Sequence, residues 1–225
     1  MKNWKNGMAK KGTGNQLHKK GETKRPSRLK KYPNSLIKPV VILHEGKNDK
    51  ELLELLIQKL ELDIDRIGFL VMRGKSDFFK SEHLNYQKIK DSIENEQINK
   101  LLFVVDADYE DKDQKYGGYK NTKNELKNII DELGITEYSD IYIVCDPTTK
   151  EGYLESLILS TIPEQHKKCI ENFLSCSEFK SKDNHKSILN QIYKIAYPNK
   201  PYDFSHKKFD TLKQKLINLL DTSHE

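Results

Sequence analysis

The chain has few cysteines and no long apolar run, and both shortages limit what the protein can be. Its three cysteines, Cys145, Cys169 and Cys176, show neither the spacing of a metal site nor that of a disulfide framework. No apolar stretch approaches the roughly 18 residues of a membrane span, and the Lys-rich N-terminus lacks the apolar segment of a secretory signal. We therefore expect a cytoplasmic protein with reduced thiols and no membrane partner.

The chain also lacks the Gly-x-x-x-x-Gly-Lys-Ser/Thr loop that cradles nucleotide phosphates. We do not expect it to hydrolyse a nucleotide by that route, so any ATPase activity would belong to a partner protein. Of its 225 residues, 36% are hydrophobic and 32% are charged. That is enough apolar material for the core of one domain of average size under a well-hydrated surface.

Charge is distributed unevenly along the chain. Residues 1–39 hold 12 Lys or Arg and a single acid, Glu22, which gives a net charge of +11, whereas the rest has a net charge of −6. Residues 1–37 show little periodicity, and we interpret them as a flexible basic arm. Such arms bind polyanions through phosphate contacts without sequence preference, so nucleic acid is the expected partner. A solubilising leader without a specific role is the alternative.

One stretch organises the remainder of the chain. Five consecutive apolar residues, 101–105, are typical of a strand that is buried on both faces of a parallel sheet. The run stops at Asp106-Ala107-Asp108. Side chains at positions i and i+2 leave an extended chain on the same side, so we expect Asp106 and Asp108 to converge at the C-terminal end of this strand. Two adjacent carboxylates need a positive partner, for which a divalent cation is the obvious candidate.

Alternating strand and helix patterns surround this stretch. Strands are predicted at residues 40–43, 67–72, 101–105 and 141–145, and helices at residues 51–60, 81–96, 122–133 and 153–160. Four such repeats predict an α/β fold with a four-stranded, mostly parallel, doubly wound sheet. We expect this domain at residues 38–160 and a small helical extension packed on it at residues 161–225.

Strand order decides which chemical groups meet. With the order 2-1-3-4, the first and third strands are neighbours and the topological switch point lies between their C-terminal ends. Glu45 follows the first strand, so this order places Glu45 beside Asp106 and Asp108. Three carboxylates from two separate motifs would then meet at one edge of the sheet.

These motifs resemble those of the TOPRIM domain, over about residues 39–160. The matching positions are Glu45-Gly46 with Asp49 after the first strand, and Asp106-Ala107-Asp108 after the third. The domain is shared by topoisomerases, bacterial primases, small RNA-maturing ribonucleases and the overcoming-lysogenisation-defect nucleases. Asp111 stands where that family has a glycine, and the compact, nuclease-like members fit this chain best.

The resemblance implies a nuclease that uses Mg²⁺, with Mn²⁺ as the alternative, and the residues permit it. Mg²⁺ prefers oxygen ligands and is commonly held by one or two carboxylates together with waters and substrate phosphate. Asp106 and Asp108 would hold the ion, and Glu45 would act as a ligand or as a general base for the attacking water. Family habit further suggests a toxic or antiviral defence effector that is regulated by a partner ATPase.

Secondary candidates surround these three acids. Asp49 would support the metal through water or cap its helix, and Glu155 resembles an acid that holds a second metal in some nuclease-like members. Gly46 and Lys47, at a predicted helix start, and Lys75 are candidate phosphate-binding residues. The alternative for Lys75 is a surface lysine.

Two structural side chains and two rival functions complete these expectations. Asp146 is expected to be a turn residue before Pro147, and His44 a packed or surface histidine. The rivals to a nuclease effector are a housekeeping ribonuclease that matures a structured RNA, and a non-catalytic module that binds a nucleotide or a protein partner.

Overall fold

A central parallel sheet forms the frame of the protein. The computed structural model describes residues 38–176, 182–196 and 202–221, so the predicted arm at residues 1–37 lies outside the described residues. The four strands are β1 (Val40–His44), β2 (Ile67–Val71), β3 (Lys100–Asp106) and β4 (Ser139–Val144). They are all parallel and lie in the order β2-β1-β3-β4. The predicted α/β class and strand order are confirmed.

Eight α-helices connect and extend these strands in the described part of the chain. They are α1 (Lys47–Lys59), α2 (Lys75–Phe78), α3 (Leu84–Glu94), α4 (Tyr119–Leu133), α5 (Leu154–Leu159), α6 (Glu164–Cys176), α7 (Lys182–Ala196) and α8 (Asp210–Leu220). As predicted, α4 ends at Gly134, whose φ of 68° is the left-handed conformation that favours glycine after a helix. None of these helices has the length and apolar character that a membrane crossing requires.

Both faces of the sheet are buried, because successive strand residues point to opposite sides. On β3, Leu102 and Val104 pack in one apolar cluster together with residues of α1, α5, α7 and α8. Leu101, Phe103 and Val105 pack in a second cluster with residues of α2, α3 and α4. This two-sided burial explains why the strand is an unbroken apolar run in the sequence.

The first helix begins earlier than its sequence suggests. Its N-cap is Gly46, whereas the predicted caps were Asn48 and Asp49. Asp49 lies in the first turn, and its Oδ2 accepts a hydrogen bond from the Gly46 N–H at 2.8 Å. The carboxylate caps from inside the helix, as in the second half of a capping box. The helix therefore starts directly after Glu45 and fixes the position where that residue leaves β1.

The C-terminal helices share the core of the sheet. Phe209, Leu212 and Leu216 are fully buried in the same cluster as β1 and β3. Lys100 Nζ, at the start of β3, donates to the Asn218 carbonyl oxygen at 3.0 Å. The residues after 160 thus cover one face of the sheet, and α7 reaches the edge at which the candidate acids lie.

Candidate functional site

Glu45 and Asp106 meet at the C-terminal edge of the sheet. The register of β1 and β3 pairs His44 with Val104, so the chain leaves both strands at nearly the same level. Glu45 Oε1 accepts a hydrogen bond from the backbone N–H of Asp106 at 2.8 Å. The two predicted site residues are therefore in direct contact at the switch point of the sheet, where open α/β sheets bind ligands.

Asp106 is a buried carboxylate with two partners. Its side chain is only 4% exposed. Oδ1 accepts from the Leu154 N–H at the start of α5, at 3.1 Å, and Oδ2 lies 3.0 Å from the ammonium of Lys186 on α7. The cation that contacts this acid in the structure is thus a lysine of the same chain.

Lys186 is the functional candidate that sequence reasoning missed. Its side chain is 45% exposed, and its Nζ lies 4.8 Å from the centre of the Tyr153 ring, within range of a cation–π contact. On α7 it precedes Leu189 and Tyr193, which are both buried in the core, by three and seven residues. A charged residue on the apolar face of an amphipathic helix is the one sequence signal that points to it.

Asp108 does not continue the direction of the strand. β3 ends at Asp106, and Asp108 has a left-handed φ of 57°. Its backbone forms two hydrogen bonds with Gly152, at 2.7 and 2.8 Å. Gly152 itself needs to be glycine, because its φ is +94° and a Cβ would lie 2.3 Å from Ser156 Oγ. The rule of extended alternation therefore does not apply at Asp108, because the chain has left the strand.

Lys75 binds the loop that carries Asp108. Its Nζ donates to the Ala107 carbonyl oxygen at 2.6 Å and lies 3.4 Å from Asp108 Oδ2. The Lys75 side chain is 10% exposed and that of Asp108 is 44% exposed. Lys75 is therefore a largely buried member of the site, and each acid of the Asp106-Ala107-Asp108 motif has its own lysine partner.

Burial dominates the electrostatics of these acids. It raises the pKa of Glu45 from its ordinary 4.5 to about 7; the hydrogen bond from Asp106 opposes the rise, and the charges of Asp108 and Asp49 add to it. Burial likewise raises the pKa of Asp49, and raises that of Asp106 well above its ordinary range although Lys186 opposes this. For Lys186, burial alone would lower the pKa, but the carboxylates of Asp106, Glu155 and Asp49 outweigh it. The proton stays on the lysine, and the acid cluster remains short of positive charge.

Glu155 lies beside this cluster without a partner of its own. It is 2% exposed, and both of its carboxyl oxygens lack a hydrogen bond within the described structure. Burial raises its pKa, and the charge of Lys186 opposes the rise most strongly. The Asn48 side chain comes near enough to lower this pKa slightly, but it forms no hydrogen bond of normal geometry. Its predicted role as a second metal ligand stays a prediction.

An open cleft of about 510 Å³ gives access to these acids. Acidic residues and Lys186 line one part of it, and two exposed cations, Lys47 and Arg73, line another. Within residues 38–176, 182–196 and 202–221, no three His, Cys, Asp or Glu side chains are grouped closely enough to hold one metal ion. Any ion bound here would need ligands besides the protein carboxylates, such as water and phosphate oxygens.

Two other candidates have structural roles. Asp146, after β4, accepts the Thr148 N–H at 2.8 Å and pairs with Lys167 at 3.2 Å, as expected of a turn residue. His44 is buried, and its Nδ1 lies 2.9 Å from the Gly46 carbonyl oxygen. Burial lowers the pKa of His44, so the ring stays neutral near pH 7 and packs against Phe69.

The fold and the site together define a doubly wound α/β protein with an acidic, lysine-containing centre at the C-terminal edge of its sheet. The chain belongs to the family described as "Protein of unknown function (DUF3226)", which matches residues 39–224. Comparison with curated proteins and with solved structures gives no significant match.

Proposed function

We propose that this protein is a Mg²⁺-dependent nuclease that hydrolyses phosphodiester bonds at the C-terminal edge of the sheet. The observation that carries the proposal is the direct contact of Glu45 with Asp106 at the switch point, beside an open cleft. A cluster of buried carboxylates destabilises a fold unless a cation binds it. One resident lysine offsets this charge only in part, because the pKa values of Glu45, Asp49 and Asp106 all stay raised.

The donor atoms fit a Mg²⁺ or Mn²⁺ ion. All nearby acidic groups are carboxylates, which are the hard oxygen ligands that Mg²⁺ prefers. Asp106 and Asp108 would hold the ion, with Glu45 beside them. When bound, Mg²⁺ would polarise the phosphate and favour ionisation of water. Lys186 would first have to leave Asp106 Oδ2, since an ammonium and a metal ion cannot occupy the same lone pairs.

Glu45 is suited to hold or accept a proton. A pKa of about 7 leaves a substantial share of the carboxylate ionised at neutral pH while its conjugate acid is still weak. This balance is what a general base requires near its working pH. Its hydrogen bond from the Asp106 backbone fixes one carboxyl oxygen and leaves the other to face the cleft chemistry.

Basic groups around the cleft would bind the substrate phosphates. Lys47 and Arg73 are exposed on the cleft, and Lys75 neutralises Asp108. The Gly46 N–H is already bound by Asp49, so Gly46 contributes to phosphate binding by its lack of a side chain and not by its own donor. Regulation by a partner ATPase, as a defence effector, belongs to this proposal through the TOPRIM resemblance alone.

One observation favours a second candidate, a non-catalytic module that binds a nucleotide or a protein partner. Lys186 already occupies Asp106 Oδ2, and a lysine that never leaves would keep a metal from this carboxylate. A permanently paired site would bind a ligand without cleaving it.

A substrate panel separates these functions. The full chain is incubated with single- and double-stranded DNA, unstructured RNA and folded RNA, each with Mg²⁺ and with EDTA. Metal-dependent cleavage supports the nuclease, and cleavage confined to folded RNA at one position supports the maturing ribonuclease. Binding without cleavage of any substrate favours the non-catalytic module and contradicts the proposal.

A further inference from the structure

The buried carboxyl of Glu155 is the unexplained group of this site. Both of its oxygens lack hydrogen bonds among the residues described here, and the side chain is almost fully buried. An unpartnered buried carboxyl is costly whether it is charged or protonated. A group that reaches Glu155 in another state of the protein would remove this cost.

Lys186 is placed to be that group. α5, which carries Glu155, packs against α7, which carries Lys186. The charge of Lys186 is the strongest influence opposing the raised pKa of Glu155, and the charge of Glu155 in turn raises the pKa of Lys186. A lysine side chain has four flexible methylene groups, so its ammonium can change partners without movement of the helix.

Space is available beside Glu155 for such a movement. A cavity of about 20 Å³ is lined by Glu155 together with Leu189, Asn190, Tyr193 and Tyr202. This volume holds about one water molecule, and an ammonium group has a similar size. The cavity also lies on the α7 face that carries Lys186, since Leu189 and Asn190 follow it by one turn.

The backbone between the two acids links both positions. Tyr153, Leu154 and Glu155 are consecutive; they present a ring to Lys186, an N–H to Asp106 Oδ1 and the unpartnered carboxyl. The Tyr153 ring lies against the ammonium already in the observed state. It would stabilise the cation through its π face during the change of partner.

We propose that Glu155 is the second acceptor of Lys186. When a divalent cation binds Asp106, which rests on the proposed function, the Lys186 ammonium moves from Asp106 to Glu155. Glu155 then acts as a positioning residue: it holds the displaced lysine beside the metal and does not bind the metal itself. This arrangement keeps the ammonium paired in both states, so the metal competes with an exchange of partners and not with the full loss of an ion pair.

Mn²⁺ binding to four full-length proteins tests this inference. They are the wild type, Lys186→Met, Glu155→Gln and the double variant, and the bound Mn²⁺ is counted by electron paramagnetic resonance. Lys186→Met should raise the Mn²⁺ affinity about tenfold, because it removes the competitor. Glu155→Gln should lower it about tenfold in the wild type, because the displaced lysine loses its acceptor, but should have less than a twofold effect when Met replaces Lys186.

Other results overturn the inference in distinguishable ways. If Glu155→Gln also weakens binding or reduces the number of bound ions in the Lys186→Met background, Glu155 is a metal ligand. If it changes nothing in either background, its role is purely structural. If neither the wild type nor Lys186→Met binds Mn²⁺, the proposed function fails and this inference with it. Lys168→Met, on α6, is the matched lysine control and should bind Mn²⁺ as the wild type does.

A structure of the wild-type protein with Mn²⁺ provides a second measurement that needs no variant to fold. We expect Lys186 Nζ within hydrogen-bond distance of a Glu155 oxygen, about 2.7–3.2 Å. A bound ion with Lys186 still on Asp106, or with Lys186 directed into solvent, contradicts the exchange.

Discussion

Asp106→Asn should leave the metal-free protein as stable as the wild type or more stable, although it removes a buried ion pair. Asn keeps an oxygen that can accept the Leu154 N–H. The lost pair with Lys186 is worth about 0–1 kcal/mol, since that side chain is 45% exposed and can return to water. Against this loss, the substitution removes a buried negative charge that lies near Glu45 and Asp49.

The balance favours the variant by about 1–2 kcal/mol, because replacing a buried ion pair by neutral groups of similar volume is often stabilising. Urea denaturation of both proteins at pH 8 without divalent cations measures this difference directly. A corresponding rise in melting temperature is about 3–6 °C for a domain of this size. The raised pKa of Asp106 means that the folded state prefers the neutral acid, so the gap should shrink as pH falls toward 4.

A loss of more than about 1 kcal/mol at pH 8 would refute this reasoning. Asp106 would then be a structural anchor of the α5 and α7 helices, and its loss of activity would say nothing about chemistry. Asp140→Asn is the matched control, since Asp140 lies near the start of β4 and pairs with Lys215 on the surface. It should alter stability only slightly, because exposed ion pairs contribute little.

Three further predictions follow from the same structure. The pKa of Glu45 is higher in the folded state, so its contribution to stability is full below about pH 4.5 and is lost as pH rises through 7; denaturation across this range should show a fall of at most about 3 kcal/mol that Glu45→Gln removes. Lys75→Met should weaken substrate binding and destabilise the protein by about 1–3 kcal/mol in denaturation, because the Ala107 carbonyl loses its buried donor; an unchanged melting curve would contradict this. Deleting residues 1–37 should lower the slope of log K against log salt by about 0.9 per duplex phosphate contact, or 0.7 per single-strand contact, with little change in the rate at saturating substrate; an unchanged slope would make the arm a solubility leader or a docking peptide.

The frame of the fold could be predicted from sequence because its signals are local. A strand buried on both faces is an unbroken apolar run, as at Leu101–Val105, and Gly134 marks a helix end by its left-handed conformation. Strand order followed from the rules for connections in parallel sheets, and it brought Glu45 to Asp106.

The details of the site depend on contacts across long sequence separations, which no local pattern reveals. Lys186 is 80 residues from Asp106, and only the packing of α7 brings its ammonium to that carboxylate. Asp108 departs from the direction of the strand because its backbone pairs with Gly152, on the loop after β4. The repulsion between acids was predictable, but the partner that offsets it was not.

The central claim is that the acids at the C-terminal edge of the sheet make a metal-dependent phosphodiesterase site. The most direct test measures cleavage of labelled nucleic acid by folded wild type, Asp106→Asn and the Asp140→Asn control, each across a Mg²⁺ titration. The account predicts cleavage that rises with Mg²⁺ in the wild type and the control and is abolished in Asp106→Asn, whose fold remains intact. Cleavage that persists in EDTA or in Asp106→Asn, or a folded wild type that cleaves no substrate at any Mg²⁺ concentration, would contradict it.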